Sequence, residues 1–258
     1  MEKTLITRAD DFGSCHAANV AIIEAIKTGH FIQNVSCMAT GPMIEEAAEY
    51  AKSQKSKICF GLHSCITAEW DYIKWLPVSD RTKIPSLMTE DGTFPPTTDW
   101  YQHNPPDLDQ IIYEYENQLD LLVKMGINVQ YIDSHMIPEI VIPGLDHQVE
   151  QWAKKKGLIH HTKYYIKGDK SCPHDKKNYQ EGLKSWKDWL EDLTEGQHLS
   201  WMHPTKMGRE ALLLTNQKTP LGFVACGRDV EYQLLKSNIM EQLCEENHIQ
   251  CIRYDEAV

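Results

Sequence analysis

The feature that most constrains this chain is an alternation of short, apolar, β-like runs with longer segments of helical period, several of the runs ending in ionisable residues. Parallel strands joined by crossover helices produce that order. The strand candidates are Thr4 to Arg8, Asn34 to Ala39, Lys57 to His63, Val129 to Ser134, Leu158 to His161, His198 to His203 and Gln250 to Tyr254. Several are near-continuous apolar runs, as strands buried on both faces must be. The fold class is therefore α/β, and 258 residues suit a barrel of this class running as a single domain over 1–258.

Between these runs, Ala17 to Lys27 places Ile22, Ile23 and Ile26 on one face, and Leu108, Ile111, Ile112, Tyr115, Leu119, Leu122 and Val123 recur at three and four residues. Both read as amphipathic helices, with Gly29 and Gly126 expected as left-handed caps after them. Further helices are expected over Leu145 to Lys156, Leu183 to Leu193 and Val230 to Glu246, with Trp152, Trp186 and Leu190 in the core. Two stretches break the rhythm: Trp70 to Pro106, which holds six of the twelve prolines, and Lys167 to Tyr179. A long loop in a compact domain is usually functional, so a lid is expected over about 66–106.

Charge and apolar content exclude some partners. Acidic residues outnumber basic ones 37 to 26, and the formal charge of −11 disfavours nucleic acid. The basic run Lys154 to Lys156 reads as a helix C-terminus, where cations offset the carbonyl end of the dipole. No stretch approaches the roughly 18 to 20 apolar residues of a membrane span, and the first residues lack a signal peptide's apolar segment, so no membrane partner and a cytoplasmic location are expected. The eight cysteines are scattered with no CxxC pair, which reads as mostly reduced, buried space-fillers rather than a disulfide framework or a thiolate metal site.

The chemistry-bearing residues fall at strand ends. The first run leads into Ala9-Asp10-Asp11-Phe12-Gly13, where two adjacent carboxylates repel and lose solvation unless a cation compensates. A plainer reading is an Asx turn before the next helix. His63 ends the third run after Gly61-Leu62, with Gly61 allowing a close approach, and Asp133-Ser134-His135 ends the fourth. Taken singly, His63 could be an ordinary satisfied histidine. Carboxyl ends of strands converge on one face in such folds, however, so Asp11, His63 and His135 make a candidate facial set of metal ligands with open positions for water and substrate. Asp10 is then free to take a proton from water. His203 in His203-Pro204 is either a general acid or a histidine held extended by the proline.

These residues carry a family resemblance. The segment Thr7-Arg8-Ala9-Asp10-Asp11-Phe12-Gly13, then Gly61-Leu62-His63, Ser86-Leu87-Met88-Thr89-Glu90-Asp91-Gly92-Thr93-Phe94, Asp133-Ser134-His135 and His203-Pro204 resemble, in order and spacing along most of the chain, the YdjC-like carbohydrate deacetylases, which include bacterial chitooligosaccharide deacetylases. The resemblance implies a distorted (β/α) barrel, a divalent ion usually treated as magnesium, removal of the N-acetyl group from small amino sugars, and often a homodimer. By position, Asp11, His63 and His135 become the metal ligands, Asp10 the base and His203 the acid. Asn19 and Arg228 match polar positions of the family and are candidate substrate contacts. Lid aromatics, Phe94 with Trp70, Tyr72 and Trp75, are candidates to stack on sugar rings or to pack the loop down.

Two departures bear on substrate choice: Gly13-Ser14-Cys15-His16 stands where the family commonly has Leu-Ser after the aspartates, and Ile137 stands where a second histidine often follows Asp-Ser-His. His16 is either a contact at the pocket mouth or a helix N-terminal histidine without a role. Two imidazoles suit Zn2+ or another transition metal better than Mg2+, so ligand chemistry and resemblance point to different ions. The expected function is metal-dependent deacetylation of chitooligosaccharides such as diacetylchitobiose. The alternatives are another metal-dependent hydrolase, a sugar isomerase on the same barrel, or a non-catalytic sugar-binding module.

Overall fold

A computed structural model describes residues 3–54, 57–164 and 171–258. Among the described residues seven strands, all paired in parallel, build one sheet: β1 (Lys3–Phe12), β2 (Asn34–Cys37), β3 (Cys59–Ser64), β4 (Val129–Ser134), β5 (Ile159–His160), β6 (Gly196–Met202) and β7 (Ile249–Ile252). The order is β5-β4-β3-β2-β1-β6. β6 runs along β1 from Lys3 to Ala9, while β7 pairs with Lys3 to Ile6 and β2 takes over from Arg8. Asn34 closes that junction: its Nδ2 donates to the carbonyls of Thr7 (2.9 Å) and Ile252 (3.1 Å), and its Oδ1 accepts from the Tyr254 amide at 2.8 Å. The sheet curls until the single helical turn His161–Tyr164 after β5 packs against β6, giving a half-barrel.

Alternation along the strands sorts side chains between two layers. Ile6, Cys59, Tyr131, Tyr164, Ile252 and Tyr254 form a small cluster inside the curl, with the Tyr131 and Tyr254 rings 4.2 Å apart. Leu5, Ala9, Phe12, Val35, Phe60 and Leu62 join the larger core under the helices. Gly61 is required by that interior ring: a Cβ there would lie 2.3 Å from Tyr131 Cε2. The close approach expected at this glycine is therefore to a side chain, neither to backbone nor to ligand.

Among the described residues the helices are α1 (His16–Thr28), α2 (Ile44–Ser53), α3 (Trp100–His103), α4 (Leu108–Lys124), α5 (Leu145–Lys156), α6 (Tyr179–Asp192), α7 (Phe223–Leu235) and α8 (Ile239–Glu246). α2 is absent from the sequence expectation; it is short, and its buried face is Ile44 with three small alanines, Ala47, Ala48 and Ala51, so it carries few large apolar residues. The single helix expected over Val230 to Glu246 is two, with Ser237 Oγ donating to the Leu234 carbonyl at the break. Gly126 takes the left-handed cap (φ 88°), but Gly29 is extended (φ −134°). A Cβ at Gly29 would meet Glu241 Oε1 at 2.2 Å, so that carboxylate oxygen, which accepts from the His30 and Phe31 amides, would have to shift.

The long insertion holds two single turns, Arg81–Lys83 and Pro85–Leu87, and α3. It is fastened down: Glu114 of α4 accepts from the amides of Val78 and Ser79 at 2.9 Å each, and Tyr101 donates to the Ile66 carbonyl at 2.8 Å. Part of the loop expected over Lys167 to Tyr179, 167–170, lies outside the described residues. All eight cysteines are free thiols and six are buried. Among the described residues no helix is long and apolar enough to cross a membrane.

Gly61→Ala should overpack the interior against Tyr131 and cost about 1–3 kcal/mol. Urea unfolding followed by circular dichroism measures it; an unchanged midpoint would show that the ring can move aside.

Candidate metal centre

Two neighbouring residues of a regular strand face opposite sides, so Asp10 and Asp11 cannot both serve one site without a break in β1. The break is present. Ala9 pairs with Val35 and Phe12 with Cys37, so β1 spends one more residue than β2 over the same span. Asp11 absorbs the extra residue with φ 65°, a left-handed conformation that a non-glycine residue holds only when its surroundings fix it. The fixing contacts are local: the Ser14 amide donates to the Asp11 carbonyl at 3.0 Å, and the Gly13 amide donates to Asn19 Oδ1 at 2.7 Å.

Asp11, His63 and His135, from the ends of β1, β3 and β4, converge. One ligand atom from each lies within 4.8 Å of the other two, and all three residues are buried. Asp11 Oδ1 is 3.4 Å from His63 Nε2 and 3.6 Å from His135 Nδ1, and the two ring nitrogens are 3.3 Å apart. Asp11 Oδ1 has no hydrogen-bond partner among the described residues. A buried carboxylate oxygen left without a donor costs free energy unless a cation takes its place. The donor set and this orphaned oxygen both fit a divalent ion.

The outer face of each imidazole is also committed. His63 Nδ1 donates to Asp133 Oδ2 at 2.6 Å, which points the Nε2 lone pair at Asp11. His135 Nε2 faces Glu69 Oε2 at 3.1 Å, which frees Nδ1 for the same centre, and the ring rests edge-on against Trp75 at 5.0 Å. A carboxylate behind a metal-binding histidine selects its tautomer and raises its basicity. Neither Asp133 nor Glu69 was singled out for this task from the sequence. Asp133 is next to a named motif and carries a readable signal, whereas Glu69 is on the long insertion and carries none.

Charge compensation comes from two arginines. Arg8 grips Asp10 with two bonds, Nε to Oδ1 at 2.6 Å and Nη2 to Oδ2 at 2.8 Å, and approaches Asp133 at 3.2 Å. Arg228 of α7 donates to Asp11 Oδ2 at 2.6 Å. Burial opposes the charge on Asp11, but Arg228 and the surrounding histidines outweigh it and hold its carboxyl well below the usual range. Burial likewise opposes charge on His63, yet Asp133, Asp11 and Asp10 raise its pKa to about 10. The pocket thus demands positive charge beyond its two arginines, from a proton or from a metal ion.

His203, just after β6, places Nε2 4.0 Å from Asp10 Oδ2. Burial lowers its pKa, helped by Arg228 and opposed by Asp11 and Asp10, so the ring is held neutral. Glu231 of α7 supports this corner, accepting from the His203 amide through Oε2 and facing His174 Nδ1 through Oε1 at 2.9 Å. A cavity of about 530 Å³ opens onto the cluster, lined by Asp10, His63, His135, His203, Arg228 and Trp70 of the long insertion among others.

The remaining sequence candidates separate. Asn19 is fully buried, and its Nδ2 donates to the Met43 carbonyl and Glu46 Oε2, so it holds the aspartate loop rather than facing the cavity. Phe94 is 1% exposed in the core, where it packs the insertion down, and is not brought to the cavity wall. Tyr72 is exposed, Trp75 backs His135 and Trp70 lines the cavity. His16 is exposed and pairs with Glu46 at 2.9 Å.

The family model described as "YdjC-like protein" matches residues 4–246. A carbohydrate deacetylase of Thermoanaerobacter pseudethanolicus is 25% identical, the match covering 98% of each chain. One from Enterococcus faecalis is 32% identical over 52% of this chain, a match spanning about half (48%) of that relative, and a chitooligosaccharide deacetylase of an Enterobacter species is 29% identical over 61% of this chain. A solved Enterococcus faecalis structure, titled as a cellobiose-phosphate cleavage protein, superposes with a TM-score of 0.78 over 99% of both chains at 24% identity, which shows the shared fold.

Removing either outer carboxylate should weaken metal binding. Asp133→Asn and Glu69→Ala are each expected to lower affinity roughly 10- to 100-fold, as losses behind metal-bound histidines do, without unfolding the chain. Competition with a chromogenic chelator reads this, and unchanged affinity in both variants would remove the two carboxylates from the site.

Proposed function

This chain belongs to the YdjC-like family, and we propose that it is a metal-dependent hydrolase that removes the N-acetyl group from small N-acetylated amino sugars, chitooligosaccharides such as diacetylchitobiose among them. The observation that carries this reading is the convergence of Asp11, His63 and His135 on an unpartnered carboxylate oxygen at a cavity that Asp10 and His203 also reach. A volume of about 530 Å³ suits a small saccharide, and Trp70 supplies an apolar wall, with the Arg228 guanidinium 5.9 Å from its ring centroid.

Asp11, His63 and His135 would hold a divalent ion, which would supply Lewis-acid polarisation of the acetyl carbonyl and make water more acidic. Asp10 is the base. Arg8 fixes both oxygens of its carboxylate, so the proton it takes from the attacking water arrives at a defined place. His203 Nε2 is 4.0 Å away, and its neutral ring can receive that proton and pass it to the departing nitrogen. One water and one amide thus yield the free amine and acetic acid, which ionises to acetate in solution, with no net change at either residue. The two imidazoles favour zinc, iron or cobalt, and family resemblance favours magnesium. A cytoplasmic location, supported by eight free thiols, and a homodimer belong to the same proposal.

Acetate release from diacetylchitobiose, assayed with zinc, cobalt, magnesium and manganese, tests the reading. Wild type is expected to turn over with at least one ion and to stop on chelation. Asp10→Asn should keep the ion and lose activity, His203→Ala should lower kcat by about 10²- to 10⁴-fold, and His135→Ala should lose the ion itself. Wild type that binds the sugar but releases no acetate with any metal would sink the proposal.

A further inference from the structure

A second group of donors lies apart from the Asp11 centre. Glu139 sits on the single turn Pro138–Ile140 after β4, His160 ends β5, and His161 opens the turn that follows. One ligand atom from each lies within 4.8 Å of the other two. Glu139 Oε2, His160 Nε2 and His161 Nε2 are all buried without a hydrogen-bond partner among the described residues. The residues are otherwise engaged: Glu139 Oε1 accepts from Ser134 Oγ, and His160 Nδ1 meets Thr162 Oγ1 at 3.0 Å. His160 and His161 are 7% and 2% exposed.

A buried polar atom left unsatisfied is costly, so three in residues that lie together need a common explanation. The strongest candidate partner for one carboxylate and two imidazoles is a cation. Three donors this close leave a central point within about 2.8 Å of each, and small side-chain shifts reach the roughly 2.0–2.2 Å of zinc–nitrogen and zinc–oxygen bonds. We propose that Glu139, His160 and His161 bind a second divalent transition-metal ion, of the zinc, iron or cobalt class that this donor set selects.

The protonation states agree with that assignment. Burial holds His161 down at about 3, so the ring is neutral as a ligand must be, and burial pushes the Glu139 carboxyl up to about 7, a penalty that a bound cation relieves. The position gives the ion a structural task. β5 is two residues long and ends the sheet path, and the ion ties it to the turn after β4. His161 also lines the catalytic cavity, so the same tie fixes part of its wall.

The test uses the full chain, stripped by chelator, reloaded with zinc chloride, desalted and analysed for metal per chain. Wild type should retain two ions. Glu139→Gln and His160→Gln should each retain one, and Asp11→Ala should also retain one, at the other site. A crystal of the zinc-loaded wild type examined at the zinc edge, which does not depend on the variants folding, should show an anomalous peak between Glu139, His160 and His161. One ion per chain, lost in Asp11→Ala, or a water without anomalous signal at that point, would overturn the second site and leave the Asp11 centre untouched.

Discussion

Everything at the candidate centre depends on one irregularity in β1. A regular strand would send Asp10 to one face and Asp11 to the other, leaving one carboxylate among the helices with no partner. The extra residue between Ala9 and Phe12 instead brings both to the same end of the half-barrel, at the expense of a left-handed aspartate. Such a conformation costs of order 1–3 kcal/mol. It persists because Asn19, Ser14 and the Arg228 ion pair fix the loop from three sides.

The same bulge explains why so much charge is buried nearby. Asp10, Asp11 and Asp133 pair with Arg8 and Arg228 as permanent cations, and Glu69 pairs with His135. Buried ion pairs are weak evidence for stability because desolvation cancels much of the attraction. Here the surplus is negative and converges on histidines whose outer nitrogens already face carboxylates. That arrangement favours an extra cation over a merely balanced network.

Curling of the sheet decides which side chains meet. Arg8 reaches across the interior to Tyr254, more than two hundred residues later, and Asn34 joins the middle of β1 and the end of β7 to the start of β2. The short edge strand β5 returns His160 and His161 to Glu139. The insertion contributes by position: it is fastened to α4 while Trp70 and Glu69 face the cavity and its histidine.

The sequence by itself determined the α/β class, the places where most strands fall, and the candidates Asp11, His63 and His135, because strand-end polarity is a local signal that survives without coordinates. It misplaced what depends on neighbours: α2, whose buried face is mostly small alanines, the break between α7 and α8, and Gly29, which is extended against Glu241 rather than in a left-handed turn. Only the tertiary structure decided that Asn19 and Phe94 turn away from the cavity, that Glu69 and Asp133 orient the histidines, and that Glu139 meets His160 and His161. Periodicity along a chain reports which face of an element is buried. Which partner occupies that face, and which polar atom is left without one, is settled by contacts between residues far apart in sequence.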